Sequence, residues 1–123
     1  MNLSKAEEQV MKFLWKLKKA YMKDILGAYP EPKPAATTIA TLLKRMQDKG
    51  FVGYKKHGSV REYYPLIKKK SYLKEQLDNM VEGYFDNSTA QFASFFAGQT
   101  NLSEEQLKEL KDIIDQQINN QKK

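Results

Sequence analysis

Residues 35–66, AATTIATLLKRMQDKGFVGYKKHGSVREYYPL, combine one helical pattern with two strand-like runs. Four apolar residues recur at helical spacing in the first half: Ile39, Leu42, Leu43 and Met46. Gly50 follows, where a helix end favours a residue that tolerates the left-handed conformation. The runs 51–56 and 60–66 are rich in aromatic and β-branched residues, and His57-Gly58-Ser59 between them is typical of a hairpin turn. A helix that leads directly into a basic hairpin predicts the second half of a winged helix-turn-helix, and hence DNA binding.

The preceding residues supply the first half of that motif. Ser4-Lys5-Ala6-Glu7 forms a capping box, which predicts that a helix begins at Ser4. Its apolar stripe comprises Ala6, Val10, Phe13, Leu14 and Leu17, and Trp15 lies outside the stripe, so we expect it to pack on another element. Residues 21–28 predict a short second helix. Pro30, Pro32 and Pro34 then predict an extended linker, which gives a helix-turn-helix with a lengthened turn.

Charge divides the chain into two parts. Of the 123 residues, 1–70 carry 16 Lys and Arg against 6 Asp and Glu, a net charge of +10. Residues 71–123 carry 5 against 9, a net charge of −4. This contrast indicates a polyanionic partner for the first part. The alternative is a solvated surface whose asymmetry is accidental, and a contrast of this size disfavours it.

Other classes of protein find little support in the sequence. There is no cysteine for disulfides or thiolate metal sites, and the single histidine lies in a turn beside lysines. No apolar run approaches the roughly 18–20 residues of a membrane helix, and the N-terminus lacks the apolar core of a secretory signal. No nucleophile–base pair or glycine-rich phosphate loop is present. We therefore expect a cytoplasmic, non-enzymatic protein without metal, cofactor or membrane insertion.

The residues predicted to contact DNA lie on the polar face of the 35–50 helix and at the hairpin tip. Small residues at the start of that face allow close approach to base edges and thymine methyl groups, and the cations further on suit phosphates. An ordinary solvent-exposed face is the alternative, and the basic hairpin that follows favours DNA. The predicted set is Thr37, Thr38, Ala40, Thr41, Lys44 and Arg45 in the helix and Lys55, Lys56 and Arg61, with His57 beside them, at the tip.

The domain formed by residues 1–70 is predicted to close its own core. Alternation along the second strand places Tyr64 and Tyr63 on opposite sides of the hairpin. The predicted apolar set is Val10, Phe13, Leu14, Leu42, Leu43, Met46 and Tyr64.

Residues 71–123 read as a helical region whose apolar stripes exceed what so small a structure can cover. An amphipathic helix follows residue 70, a short helix spans 88–97 before a break at 98–101, and Ser103-Glu104-Glu105-Gln106 caps a last helix that frays from residue 116. These helices could form a small bundle or bury their stripes against a second copy of the chain, and we favour the second copy. The predicted dimerisation residues are Leu73, Leu77, Met80, Val81, Tyr84, Phe85, Leu110, Ile113 and Ile114. The predicted fold is thus mainly α with a small β wing: a winged helix-turn-helix followed by a helical dimerisation region.

The chain resembles the penicillinase-repressor (BlaI/MecI) family of bacterial winged-helix repressors over nearly its whole length. The resemblance lies in four stretches: LSKAEEQVMKFLW at 3–15, TTIATLLKRMQDKGF at 37–51, YKKHGSVREYYPL at 54–66 and NLSEEQLKELKDII at 101–114. It implies a homodimer that binds palindromic operators through its N-terminal domains. It also implies base-reading positions at Thr37, Thr38 and Ala40, and release by a membrane sensor protease that leads to a cut at an Asn-Phe bond.

Three departures limit what the resemblance carries over. Ala40 stands where the best-known members have arginine, so their operator sequence is not expected here. Phe95-Phe96 stands at the cut site, so a protease that requires Asn-Phe is expected to leave this chain intact. Copper sensing through a C-terminal cysteine cluster is excluded, because the chain has no cysteine. Two other functions remain as alternatives, a winged-helix protein-interaction module and a ligand-responsive regulator of the MarR type.

Overall fold

The computed structural model describes residues 2–122 of the chain. In the described part the helices are α1 (Lys5–Leu17), α2 (Met22–Ala28), α3 (Ala36–Asp48), α4 (Lys69–Phe85), α5 (Thr89–Gln99) and α6 (Glu104–Gln121). The strands are β1 (Ala20–Tyr21), β2 (Val52–His57) and β3 (Val60–Pro65). The predicted fold class, mainly helical with a small β wing, is confirmed. The chain divides into two compact units, one extending to Lys74 and the other beginning at Glu75.

The capping box at the start of α1 is present as the sequence predicted, and it does more than begin the helix. Ser4 N donates to Glu7 Oε1 over 2.7 Å, and Glu7 N donates to Ser4 Oγ over 3.2 Å. Glu7 is also buried and accepts a 2.7 Å hydrogen bond from Lys49 Nζ, just beyond the end of α3. This ion pair therefore ties the start of the first helix to the end of the third.

The core of the first unit lies between the three N-terminal helices and the sheet. Its buried residues are Val10, Met11, Leu14, Ala20, Ile25, Ile39, Leu42, Leu43, Met46, Phe51, Val52, Tyr63 and Tyr72. The assignment of Tyr64 to this core was wrong, because Tyr64 is 38% exposed and Tyr63 is 6% exposed. Tyr63 pairs directly with Ala20, which is buried, and directly paired residues share one face of a sheet. Alternation within one strand could not reveal which face that was.

A two-residue strand, β1, was not anticipated from the sequence. It pairs with β3 (Ala20 with Tyr63 and Tyr21 with Glu62), which gives the antiparallel sheet order β1-β3-β2. Lys18, at φ +74°, ends α1 and turns the chain toward this strand. Two residues are too few for an alternating pattern, so the sequence carries no periodic signal of β1.

The first turn of α4 belongs to the first unit. Tyr72 is buried there and donates through its hydroxyl to Glu8 Oε2 over 2.6 Å. Trp15 Nε1 donates to the carbonyl oxygen of Ile67 over 2.8 Å, and the Trp15 and Tyr72 rings lie 5.5 Å apart. Trp15 thus packs on another element, as expected. The division between the units falls inside α4, a little beyond the boundary at residue 70 that the sequence suggested.

The second unit contains the remainder of α4 with α5 and α6. Ser88 caps α5, and Ser103 caps α6 through the predicted capping box. The helices run further than predicted: α5 continues to Gln99 through Gly98, and α6 continues to Gln121 instead of fraying from residue 116. The Phe85 ring contacts those of Phe92 and Phe95 at centroid distances of 5.7 and 5.6 Å.

Candidate nucleic-acid interface

The outward face of α3 is set by the side chains that hold the helix against the core. Ile39, Leu42, Leu43 and Met46 are buried, so the opposite side of the helix faces solvent. All six residues predicted there are exposed: Thr37, Thr38, Ala40, Thr41, Lys44 and Arg45. Thr41 Oγ1 donates a hydrogen bond to the Thr37 carbonyl oxygen over 3.0 Å. The hydroxyl proton of Thr41 is therefore already bonded within the helix. The first turns of α3 therefore expose only short side chains, which allow the helix backbone to approach another molecule closely.

One turn further along α3, Lys44 forms an ion pair with Asp48 that is exposed to solvent. Lys44 Nζ lies 3.2 Å from Asp48 Oδ1, and both side chains are mostly exposed. An exposed i,i+4 pair of this kind contributes only about 0.3–0.5 kcal/mol. Lys44 can therefore exchange its carboxylate partner for a phosphate at little cost. Arg45 is exposed beside it.

The hairpin β2–β3 turns at Gly58-Ser59, and its register separates the basic residues predicted at its tip. His57 pairs with Val60, and Gly58 adopts the positive φ of +65° that the turn requires. Lys56 lies opposite Arg61 and Lys55 lies opposite Glu62. Because neighbours along a strand point to opposite faces, the structure brings Lys56 and Arg61 together and places Lys55 on the other face.

Arg61 lies over the ring of Tyr54, a contact that was not predicted from the sequence. Its guanidinium carbon lies 4.3 Å from the centroid of the Tyr54 ring. A cation over a ring face is attracted by the ring's quadrupole, by about 0.5–1 kcal/mol at an exposed site. A two-residue turn places Tyr54 opposite Tyr63 and therefore diagonally across from Arg61. The correct turn length would have revealed this contact from the sequence.

The other face of the hairpin carries mixed charge. His57 Nε2 lies 3.1 Å from Glu62 Oε1, and the His57 and Tyr21 ring centroids are 6.0 Å apart. The carboxylate offsets part of the positive charge that Lys55 places on this face. The face bearing Lys56 and Arg61 is therefore the more electropositive one.

Most of the residues predicted for dimerisation have apolar side chains that are exposed to solvent. Leu73, Leu77, Met80, Tyr84, Ile113 and Ile114 are exposed, whereas Val81, Phe85 and Leu110 are partly buried. Leu73 belongs to the first unit, and the second unit also exposes Phe95, Phe96, Leu107 and Ile118. An isolated soluble unit of this size rarely exposes so many large apolar side chains.

Other kinds of site find no support among residues 2–122. No group of three or more His, Cys, Asp or Glu side chains there could hold a metal ion. Within the same range, no helix has the length and apolar content needed to cross a membrane.

The helix-turn-helix of α2 and α3, followed by the hairpin beside it, defines a winged-helix protein. The sequence profile of the penicillinase repressor family matches residues 3–116, and the chain belongs to that family. This confirms the predicted resemblance and disfavours the MarR-type alternative.

Named relatives align over nearly the whole chain. The methicillin resistance regulatory protein MecI of Staphylococcus aureus (strain N315) is 26% identical over 114 residues, which are 92% of this chain and 93% of that protein. The penicillinase repressor of Bacillus licheniformis is 25% identical over 122 residues, 98% of this chain and 95% of that protein. These names describe a regulatory protein and a repressor.

A solved structure agrees with the fold. The solution structure of the DNA-binding domain of the repressor BlaI is similar to this structure, with a TM-score of 0.51 and 30% sequence identity. The alignment covers 58% of this chain and 88% of the BlaI domain.

Proposed function

We propose that this chain is a transcriptional repressor that binds palindromic operators as a homodimer. The observation that carries the proposal is the exposed, small-residue start of α3 beside a hairpin bearing Lys56 and Arg61. Membership of a family whose named members include a repressor, and similarity to the DNA-binding domain of BlaI, support the same function.

The first turns of α3 are proposed to read bases. Thr37, Thr38 and Ala40 lie where the family resemblance implies base-reading positions, and all three are exposed. A threonine hydroxyl can bond a base edge, and the methyl groups of threonine and alanine suit the thymine methyl. Because Ala40 cannot make the bidentate contact of an arginine, the operator is expected to differ from those of relatives that have arginine there.

The cations around this surface are proposed to hold the DNA backbone. Lys44 and Arg45 follow the base-reading turn along α3, and Lys55, Lys56 and Arg61 extend the positive surface onto the hairpin. Phosphate contacts fix the register of a protein on the duplex but carry no sequence information directly. Affinity should therefore depend on these residues for every DNA sequence alike.

The second unit is proposed to join two copies of the chain. Leu77 and Met80 of α4 and Ile113 and Ile114 of α6 expose apolar surface that a second copy can bury. In a twofold dimer each such contact occurs twice, because the same patch is used on both subunits. Two linked winged domains would then engage two half-sites, which is the basis of an operator with twofold symmetry.

A membrane sensor protease, the partner that the resemblance implies, stays a prediction for this chain. Phe95 and Phe96 lie within α5, where the resemblance places the cleaved bond. A protease that requires asparagine before the bond is expected to leave this one intact. Release of this repressor would then need another cut or another signal.

The proposal is tested by selecting binding sites from random duplex DNA and measuring affinities for the selected and unrelated sequences. Lys55→Ala with Lys56→Ala should weaken binding to both kinds of DNA by a similar factor. Thr38→Val, which replaces a hydroxyl with a methyl group, should lower affinity mainly for the selected sequence, with a change of about 1–3 kcal/mol in discrimination at one base pair.

Two variants in the second unit serve as matched controls. Lys108→Ala with Lys111→Ala removes the same charge from α6, and Thr89→Val makes the same exchange in α5. Both should bind DNA like the unaltered protein. Selected sites without twofold symmetry, or equal losses from the lysine pairs in β2 and α6, would contradict the proposal.

A further inference from the structure

An apolar groove in the first unit remains unexplained by DNA binding. It lies between α2 and the start of β3, and its volume is about 710 Å³. Met22 and Leu26 form one wall, and Val60, which is 51% exposed, lies on the other. Small-molecule sites typically occupy about 300–1,000 Å³ and have mostly apolar walls.

The groove follows from the shortness of β1. This strand pairs with β3 only at Tyr63 and Glu62, after which the chain turns into α2. Beyond that point the edge of β3 at Val60 and Arg61 lies opposite a helix, which cannot continue the sheet. The space between helix and strand edge is therefore a property of the backbone as well as of the side chains.

The charges on the lining residues select the kind of ligand. Lys23 and Arg61 both line the groove and both are exposed, so Lys23 can reach a bound molecule from the solvent side. The Arg61 guanidinium lies over the exposed Tyr54 ring and reaches the same molecule by turning away from that ring. Among the described residues that line it, none is acidic. Tyr21 and Tyr63 add aromatic surface. A flat apolar body with one anionic group complements this combination, because a carboxylate can meet the cations while rings pack on the apolar walls.

We propose that this groove binds an aromatic monocarboxylate and that the bound ligand lowers the affinity of the protein for DNA. The second half of this statement rests on the proposed function, since Arg61 is also one of the residues assigned to the DNA backbone. An arginine bonded to a carboxylate in the groove is withdrawn from a phosphate. Ligand and DNA therefore compete for Arg61, and each weakens the other by the same factor.

The binding site itself is tested on the full-length protein without DNA. 2-Naphthoate is titrated into the ¹⁵N-labelled protein, and backbone shifts are expected to change around Met22, Leu26 and Val60. For a ligand of roughly 13 heavy atoms, a dissociation constant of about 1 mM or below is expected. The uncharged 2-naphthamide, which has the same rings, should bind more weakly.

A pair of lysine variants separates the groove from general attraction to a basic surface. Lys23→Ala removes a lining cation and should weaken 2-naphthoate binding by roughly two- to five-fold, the range of an exposed ion pair. Lys19→Ala removes a neighbouring exposed cation that does not line the groove and should leave binding unchanged. Equal binding of naphthoate and naphthamide, shifts centred elsewhere, or inorganic phosphate producing the same shifts at the same concentration would overturn the assignment.

The effect on DNA is measured separately, so that failure of one part does not obscure the other. Saturating 2-naphthoate should reduce DNA affinity by about the factor that Arg61→Ala costs, and should have little further effect on the Arg61→Ala variant. Binding in the groove with unchanged DNA affinity would overturn the regulatory half alone. If the protein binds no DNA, the proposed function fails while the groove is still tested by the titration without DNA.

Discussion

Glu7 shows how a single side chain can link helix capping to tertiary structure. Its carboxylate caps α1 and receives a hydrogen bond from Lys49 after α3. Burial raises the pKa of this carboxyl, but the bonds from Lys49 and Ser4, together with the charge of Lys49, outweigh it and lower the pKa below its usual value. The capping role could be predicted from the spacing of Ser4 and Glu7. The pairing with Lys49 could not, because it depends on how two helices pack.

Glu7→Gln is expected to reduce the free energy of unfolding by about 1–3 kcal/mol at pH 7, because a neutral amide cannot replace the ion pair with Lys49. A carboxyl with a lowered folded-state pKa stabilises the fold above its unfolded pKa of about 4.3, and this contribution is lost as the pH falls through the folded pKa. The difference between variant and unaltered protein should therefore shrink below about pH 4.5.

Urea unfolding at several pH values, followed by the fluorescence of the single tryptophan, Trp15, measures this difference in the first unit. Asp48→Asn is a suitable control, because its pair with Lys44 is exposed and worth less than about 1 kcal/mol. A Glu7→Gln deficit that stays constant from pH 7 to pH 3 would show that the charge of Glu7 is not what stabilises the fold.

At the scale of the elements, the sequence was informative wherever a periodic pattern or a cap was present. The buried and exposed faces of α3 agree with the spacing of its apolar residues, and both predicted capping boxes are formed. The strand β1 depends on pairing between residues far apart in the sequence, so the burial of Tyr63 against Ala20 came only from the structure. The register of the hairpin depends instead on the length of its turn, and a two-residue turn would have predicted that Arg61 lies near Tyr54.

The junction between α3 and β2 is expected to need a glycine. Gly50 has a φ of +83°, so Gly50→Ala should cost about 1–2 kcal/mol even though the space around it is open. Gly27, in α2, also has open space but no positive φ. Gly27→Ala should therefore stabilise the first unit by about 0.5–1 kcal/mol. Urea midpoints that move in the same direction for both variants would contradict this account of the junction.

At the scale of the whole molecule, the two units are proposed to have separate roles. The first unit closes a core around its helices and sheet, and Tyr72 in the first turn of α4 contributes to it. The second unit leaves large apolar side chains of α4 and α6 exposed. The sequence indicated this difference through its charge and its apolar stripes, but it could not show that Tyr72 belongs with the first unit.

If the chain is the proposed dimer, Leu77→Asp with Ile114→Asp is expected to convert it into a monomer that retains its helical circular dichroism. Each buried large apolar side chain contributes about 1.5–3 kcal/mol, and twofold symmetry counts both positions twice. Sedimentation measures the change. As the control, Asn79→Asp with Gln116→Asp introduces the same charges at polar positions of the same helices and should leave the association unchanged.

A chain truncated after Lys74 should be folded and monomeric. Dimerisation of that fragment would place the interface in the first unit.

The most direct test of the central claim, that α3 and the wing bind the DNA backbone, is the dependence of affinity on salt. Each neutralised phosphate adds about 0.9 to the slope of log affinity against log salt concentration, so three to five contacts per subunit of a dimer predict a slope of roughly −5 to −9. Lys55→Ala with Lys56→Ala should reduce its magnitude by up to about 4 in a dimer. Binding that hardly changes between low and high salt would contradict the account.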